Sequence, residues 1–387
     1  MSWWCEEMKN QHPLNLTTSL ARMQDETQLR SVRPMGQGID FCSNDYLGLA
    51  RELGNPSLLA EALENVEGRM GATGSRLLSG TTEAHTTLET YLAKTFGAQS
   101  ALLFGSGYEA NVGLLACTAK RGDTIIYDQQ IHASMRDGIR LSSARTFSFR
   151  HNDIEDLRKK ITRATGEVFV AVESLYSMDG DRAPLVDLCQ LTHEYGAFLV
   201  VDEAHATGVY GESGEGLVSA SGLSNQVFAR VHTFGKAIGY KGACIVGSQV
   251  LRDYLINFCR PFIYSTAPDA LTVALTMKAL RLSMKAHDRR ELLMRNISHW
   301  GNEILPLGGW FQPLSPIQYI PVPGNRAVVQ VQQVLEKAGI EAKAVRSPTV
   351  QRGKERIRIC LHSYNTLGEL KLLRDVLNQS LKEYVSN

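Results

Sequence analysis

Val231-His232-Thr233-Phe234-Gly235-Lys236-Ala237 continues an apolar run that begins at Val227. Upstream, Leu199-Val200-Val201-Asp202-Glu203-Ala204-His205 has the same shape, a short apolar run that ends on polar, chemically capable side chains. Short β-branched and apolar runs bounded by turn residues read as strands. The runs 101–104, 124–127, 146–149, 168–172, 198–202, 227–232 and 243–246 all qualify, and helical patterns such as 154–164 and 185–195 lie between them. Strands alternating with helices predict βαβ units, a mostly parallel sheet and an α/β fold. Ligands of such sheets gather at the carboxyl ends of the strands, where Asp202, His205 and the loop Thr233–Lys236 fall.

The residue types at those strand ends suit one cofactor. A lysine can hold the aldehyde of pyridoxal phosphate as a Schiff base. A buried carboxylate can keep the pyridine nitrogen protonated, so that the ring accepts electrons. Asp202 also reads as a helix N-cap, but burying a carboxylate beside an apolar strand is costly without a cationic partner. His205, three residues on, can reach the ring oxygen; taken alone it is equally a structural histidine.

Composition narrows the class. Among 387 residues, 41 Lys and Arg face 40 Asp and Glu. That balance argues against a basic nucleic-acid surface or a polybasic membrane anchor. No apolar run approaches the roughly 20 residues of a membrane span. The first residues lack the basic and apolar regions of a secretory signal. The seven cysteines are scattered and form no C-x-x-C, so thiols in a reducing cytoplasm are expected rather than disulfides or a zinc site.

Along the rest of the chain, a helix is expected near Leu14–Leu29 and one long helical pattern from Leu271 to Asn302. A helix over 328–338, a strand over 357–361 and a final helix over 367–384 then suggest a small α+β domain. The expected division is an N-terminal segment 1–50, a large domain 51–285 and a small domain 286–387.

Further candidates are weaker singly. Phe104-Gly105-Ser106-Gly107-Tyr108 is a turn between strand and helix whose free N–H groups can meet a phosphate, though it lacks the P-loop lysine. His132 follows strand 124–127 and can stack on a flat ring or simply cap a helix. Ser177 precedes Met178-Asp179-Gly180-Asp181, an acidic turn without EF-hand spacing, so no metal is expected. Gly71–Gly80 is a glycine-rich loop without a preceding strand, which disfavours a dinucleotide fingerprint. Arg356 and Arg358 share one side of their strand; one can clamp a carboxylate, or both are solvated charges on an edge strand.

In combination the motifs are specific. Ser43-Asn44-Asp45-Tyr46-Leu47-Gly48, Gly74-Ser75-Arg76 with Ser79-Gly80-Thr81, Ser177–Asp181, Asp202–Gly208 and Thr233–Lys236 stand in the order of the α-oxoamine synthases. The chain resembles this group of pyridoxal phosphate enzymes of the class-II aminotransferase type from about residue 40 onward. The resemblance implies fold type I, the aspartate aminotransferase-like fold, with a mostly parallel seven-stranded sheet and a small α+β C-terminal domain. It also implies a homodimer with shared active sites.

Roles follow from the resemblance residue by residue. Lys236 would bind the cofactor covalently, Asp202 would pair with its ring nitrogen, His205 with its ring oxygen, and His132 would stack on it. Ser177 and Thr233 would bind the cofactor, and the Gly107–Tyr108 backbone its phosphate. Ser265 and Thr266 would come from the neighbouring subunit. Arg358 would hold an amino-acid carboxylate, with Arg30 and Thr349 as further substrate contacts. The implied reaction joins L-alanine to pimeloyl-CoA or a pimeloyl carrier protein with loss of CO2, a step of biotin synthesis. Glycine with acetyl-CoA, or serine or glycine with a longer acyl chain, is the alternative within the family. A non-catalytic partner subunit is the alternative outside it. Glu203, where many members have Asp, and Lys241, where others have His or Ser, depart from the pattern.

Overall fold

Strands buried on both faces should read as unbroken apolar runs rather than alternating ones. The larger sheet explains the sequence in those terms. The computed structural model describes residues 12–32, 34, 36–64, 66, 70–303 and 314–385. Its main sheet comprises β1 (Ser100–Phe104), β2 (Thr124–Asp128), β3 (Arg145–Phe149), β4 (Val168–Glu173), β5 (Phe198–Asp202), β6 (Ala229–Thr233) and β7 (Ala243–Gly247). Each arises from one of the seven apolar runs; only Val227 and Phe228 of the expected sixth strand fall outside it. The order is β1-β7-β6-β5-β4-β2-β3. Strand β7 is antiparallel to both its neighbours, and the other pairs are parallel. The expected α/β fold with a mostly parallel seven-stranded sheet is borne out.

Alternate residues of each strand feed two apolar layers. Leu102 and Phe104 join Ile125, Ala171, Val200, Val231 and Ile245 on one face, where the helix Gly107–Thr118 packs through Ala110 and Leu114. Ala101 and Leu103 join Cys244 and Val246 on the other, against Leu88 and Leu92 of the helix Glu83–Thr95. With both faces covered, the parallel strands can present side chains to a ligand only at their ends.

The chain divides by its contacts into two units: Asn44–Arg295 with His362–Tyr364, and Met1–Ser43 with Asn296–Leu361 and Asn365–Asn387. The segment before Asn44 thus groups with the C-terminal residues. In this smaller unit β8 (Ile317–Pro321), β9 (Ile340–Glu341), β10 (Lys343–Val345) and β11 (Arg356–Cys360) are short. Strands β10, β11 and β8 form an antiparallel sheet in that order, and β9 pairs in parallel with Ile39–Asp40. The strand carrying Arg356 and Arg358 is therefore central, which removes the edge-strand reading. Val328, Val331 and Leu335 form the buried stripe of the helix Asn325–Lys337.

One expected helix is two. The pattern from Leu271 to Asn302 breaks at Ala286, between Ala270–Lys285 and His287–Glu303. Arg290 explains how the break is held. Its guanidinium donates to the Met284 carbonyl at 3.2 Å and to the Ser283 carbonyl at 2.7 Å, which also accepts from Ala286 N–H. The N-terminal helix is shorter than expected, Leu14–Asp25. Among the described residues no helix is long and apolar enough to cross a membrane.

Candidate active site

At the carboxyl ends of β2, β4, β5 and β6, the larger unit encloses a cavity of about 350 Å³. Gly107, Tyr108, His132, Asp202, His205, Thr233 and Lys236 line it, so the structure brings together seven of the side chains and backbone positions singled out in the sequence. Asn44, Asn111, Ser134, Glu173, Tyr240 and Lys241 complete much of the wall. The volume lies at the lower end of the range for small-molecule and cofactor pockets, roughly 300–1,000 Å³.

Asp202 ends β5, and Ala204 N–H donates to its Oδ1 at 2.8 Å. Asn111, on the helix Gly107–Thr118, donates its Nδ2 to Asp202 Oδ2 at 2.6 Å and to Ser134 Oγ at 3.0 Å. The carboxylate is buried and its hydrogen-bond donors are neutral. A buried carboxylate gains most from a cationic partner, and the cavity leaves room for one.

Glu173 ends β4 directly beside Asp202 in the parallel ladder. Burial, and next the charge of Asp202, push its carboxyl well above the ordinary carboxylate range, while Lys236 pulls it down. Its Oε1 is buried with no hydrogen-bond partner among protein atoms. Glu173 was missed in the sequence, although a carboxylate closing the run Val168–Val172 gives the same signal that marked Asp202.

His132 caps the helix Ala133–Leu141, with Nδ1 2.7 Å from Ser134 Oγ. Burial lowers its affinity for a proton; Asp202 raises it and Lys236 lowers it. His205 Nδ1 lies 2.8 Å from the hydroxyl of Tyr46. Lys236 stands in the loop joining antiparallel β6 and β7. Its carbonyl accepts from Gly239 N–H at 2.7 Å, and Phe234 N–H donates to Gly242 O at 2.9 Å, which closes the loop.

The amino end of the helix Gly107–Thr118 forms one wall. Ser106 caps it by accepting from Glu109 N–H. A Cβ at position 107 would stand 2.3 Å from Thr233 Cγ2. Glycine is required there for the helix start to approach β6, and the close approach opens backbone N–H groups to the cavity. The Tyr108 hydroxyl is turned outward and donates to Asp137.

Other expected residues lie elsewhere. Ser177 is buried in the turn after β4 but is not part of the cavity lining. Thr266 is exposed, Ser265 is half-buried, and Thr266 bridges Ser75 of the glycine-rich loop. That loop's Arg76 points into the core, paired with buried Glu89 at 2.9 Å, so its conspicuous arginine is structural. In the smaller unit Arg30 Nη2 donates to Thr349 Oγ1 at 2.9 Å, uniting two positions singled out separately. Arg358 donates to Cys360 Sγ at 3.0 Å, and Arg356 lies 4.3 Å from the Tyr319 ring centre.

The acidic turn Asp179–Asp181 has a role the sequence concealed. His151 Nδ1 donates to Asp128 at 3.0 Å and Nε2 to Asp181 at 2.7 Å. Burial lowers the imidazole's pKa, but the two carboxylates outweigh it and push it up to about 10. His151, Asp179 and Asp181 bring possible ligand atoms within 4.8 Å of one another. In its protonated form the imidazole pairs with Asp128 and Asp181 together, an ion-paired clamp. It ties the end of β2, which leads to His132, to the turn that carries Ser177.

The departure at Glu203 is also structural. Its buried carboxyl accepts from Ser174 Oγ at 2.7 Å, Leu217 N–H at 3.0 Å and Val218 N–H at 2.7 Å. Lys241, the other departure, does line the cavity.

A family model described as aminotransferase class I and II matches residues 36–373. The chain belongs to the aminotransferase class I and II family. It is 39% identical over 344 residues to the 8-amino-7-oxononanoate synthase of Alkalilimnicola ehrlichii, covering 88% of each chain. Among solved structures, a serine palmitoyltransferase from S. paucimobilis with bound PLP–myriocin aldimine superposes with a TM-score of 0.86 at 26% identity, covering 97% of this chain and 98% of that one. The 8-amino-7-oxononanoate synthase of Francisella tularensis gives a TM-score of 0.76 at 26% identity, covering 90% of this chain and 99% of that one. The α-oxoamine synthase resemblance of this class I and II family member is thereby borne out.

Proposed function

We propose that this chain is a pyridoxal 5'-phosphate-dependent acyltransferase that condenses L-alanine with pimeloyl-CoA or a pimeloyl carrier protein. CO2 and the thiol are released, and 8-amino-7-oxononanoate forms. The observation that carries the cofactor assignment is the convergence of Lys236 and the buried Asp202 on one cavity that also meets a helix amino end. The similarity to 8-amino-7-oxononanoate synthases carries the substrate assignment.

The residues fit the group. The Gly107 approach to Thr233 leaves backbone N–H groups for a phosphate, and the buried Asp202 carboxylate would pair with a protonated ring nitrogen. When bound, the cofactor provides an electron sink for a carbanion formed on the substrate.

The chain's own residues do the rest. Lys236 would hold the aldehyde carbon through its amine, and the same amine would move the proton at the substrate's α-carbon. Asp202 would keep the ring nitrogen protonated, and His205 would donate to the ring oxygen. His132, held neutral by burial, would stack on the ring and donate to the thioester carbonyl as it becomes negative. Gly107 and Tyr108 N–H groups bind phosphate, with Ser177 and Thr233 beside the cofactor.

Arg358 forks onto the alanine carboxylate, and Arg30 and Thr349 contact substrate. In a cytoplasmic homodimer Ser265 and Thr266 reach the phosphate of the other subunit; the exposure of Thr266 supports that reading.

The test is an assay of purified protein with alanine, glycine and serine against acyl-CoA thioesters from acetyl to palmitoyl, following CO2 release and product mass. Preference for alanine with pimeloyl-CoA is expected. Turnover confined to glycine with acetyl-CoA, or to serine with a long chain, overturns the substrate assignment.

A further inference from the structure

We infer that Tyr46 is a positioning residue that sets which nitrogen of His205 carries the proton. The inference rests on the reading of His205 as the donor to the cofactor's ring oxygen. An imidazole can donate from Nε2 while neutral only if Nδ1 is an acceptor, and the group bonded to Nδ1 decides this.

The Tyr46 hydroxyl is 2.8 Å from His205 Nδ1 and 3.2 Å from Asn44 Oδ1. It has one proton to give. The shorter contact, to the His205 nitrogen, takes it in preference to the longer one to Asn44 Oδ1. The relay then runs from Tyr46 O–H to His205 Nδ1, which places the ring proton on Nε2. His205 lines the cavity, so the tautomer that Tyr46 sets is presented to the site.

Tyr46 is held for this role. It is fully buried, its ring stacks on His362 at a centroid distance of 6.5 Å, and its carbonyl accepts from Ser363 N–H at 2.9 Å. A phenol so confined is held against the His205 nitrogen, which offers the shorter bond.

Tyr46→Phe tests the assignment because it removes one oxygen and keeps the packing. Donation to the ring oxygen lowers the proton affinity of the bound chromophore, so losing an ordered donor should raise the pH midpoint of the visible cofactor band. The expected rise is about one pH unit, a tenfold change in proton affinity. In a His205→Asn background the same substitution should add no further shift. An unshifted midpoint in Tyr46→Phe, or an equal shift in both backgrounds, overturns the inference.

A measurement on the unmutated holoenzyme covers the case in which the variant fails to fold. 15N-histidine NMR reads which His205 nitrogen is protonated; a proton on Nδ1 refutes the relay. A protein that takes up pyridoxal phosphate without any Lys236-dependent visible band refutes the underlying cofactor reading instead.

Discussion

Glu173 and Asp202 end adjacent parallel strands in register, and both line the same cavity. Two carboxyl groups so placed cannot both ionise cheaply. Glu173 is pushed well above the carboxylate range, first by burial and then by Asp202, so it is the neutral partner. Asp202, with its Asn111 and Ala204 donors, is left to face a cation. The two should respond differently to loss of charge. Glu173→Gln, which replaces a neutral acid with a neutral amide, should leave kcat within a fewfold of the parent. Asp202→Asn should lower kcat by about 10²–10³-fold with the fold retained. Steady-state kinetics with circular dichroism separate these outcomes, and equal losses in both variants would refute the division of roles.

Lys236→Ala should abolish the visible band of the bound cofactor and reduce turnover on the order of 10³-fold. The absorbance spectrum of the purified variant after addition of pyridoxal phosphate is the direct check. A normal band with normal turnover would move the covalent site elsewhere.

Gly107→Ala should weaken cofactor binding about tenfold, because the new methyl lands 2.3 Å from Thr233 Cγ2. Overpacking of this kind costs about 1–3 kcal/mol. Thr233→Ser removes the offending methyl group, so the double variant should recover much of the affinity. Fluorescence titration with pyridoxal phosphate measures both, and a double variant no better than Gly107→Ala alone would place the cost elsewhere.

Glu203→Asp should destabilise the fold by about 1–3 kcal/mol, since the shorter carboxylate strands one or more of its donors at Ser174, Leu217 and Val218. Urea denaturation reads this loss. Cofactor affinity should not change, and a change there would show that Glu203 acts on the site.

The His151 clamp predicts a pH dependence of stability. Its folded pKa of about 10 lies above the ordinary histidine value of 6.5. The stabilisation from its proton is therefore complete below about pH 6.5 and is lost as pH rises through about 10. His151→Gln should melt a few degrees below the parent at pH 6, with the gap closing toward pH 10. A gap that persists undiminished at pH 10 would mean the imidazole acts through packing rather than charge.

The sequence by itself determined the strands, their alternation with helices and the residues at two strand ends, because fully buried parallel strands must be apolar throughout and can be polar only where they stop. It also contained the signal for Glu173, which has the same position on β4 that Asp202 has on β5. The tertiary structure alone decided which distant residues meet. Tyr46 reaches His205, His151 joins Asp128 to Asp181, and Arg30 finds Thr349 through contacts between residues far apart in the chain, which no local periodicity encodes. The break at Ala286 was likewise invisible, since the helical pattern continues through it and the Arg290 contacts with the Ser283 and Met284 carbonyls arise only in the fold. The strand Arg356–Cys360, for which an edge position was one of two readings, is central for a similar reason: its partners come from Ile317–Pro321 and Lys343–Val345. Periodicity records what a strand buries, whereas sheet order depends on which neighbours the rest of the chain delivers.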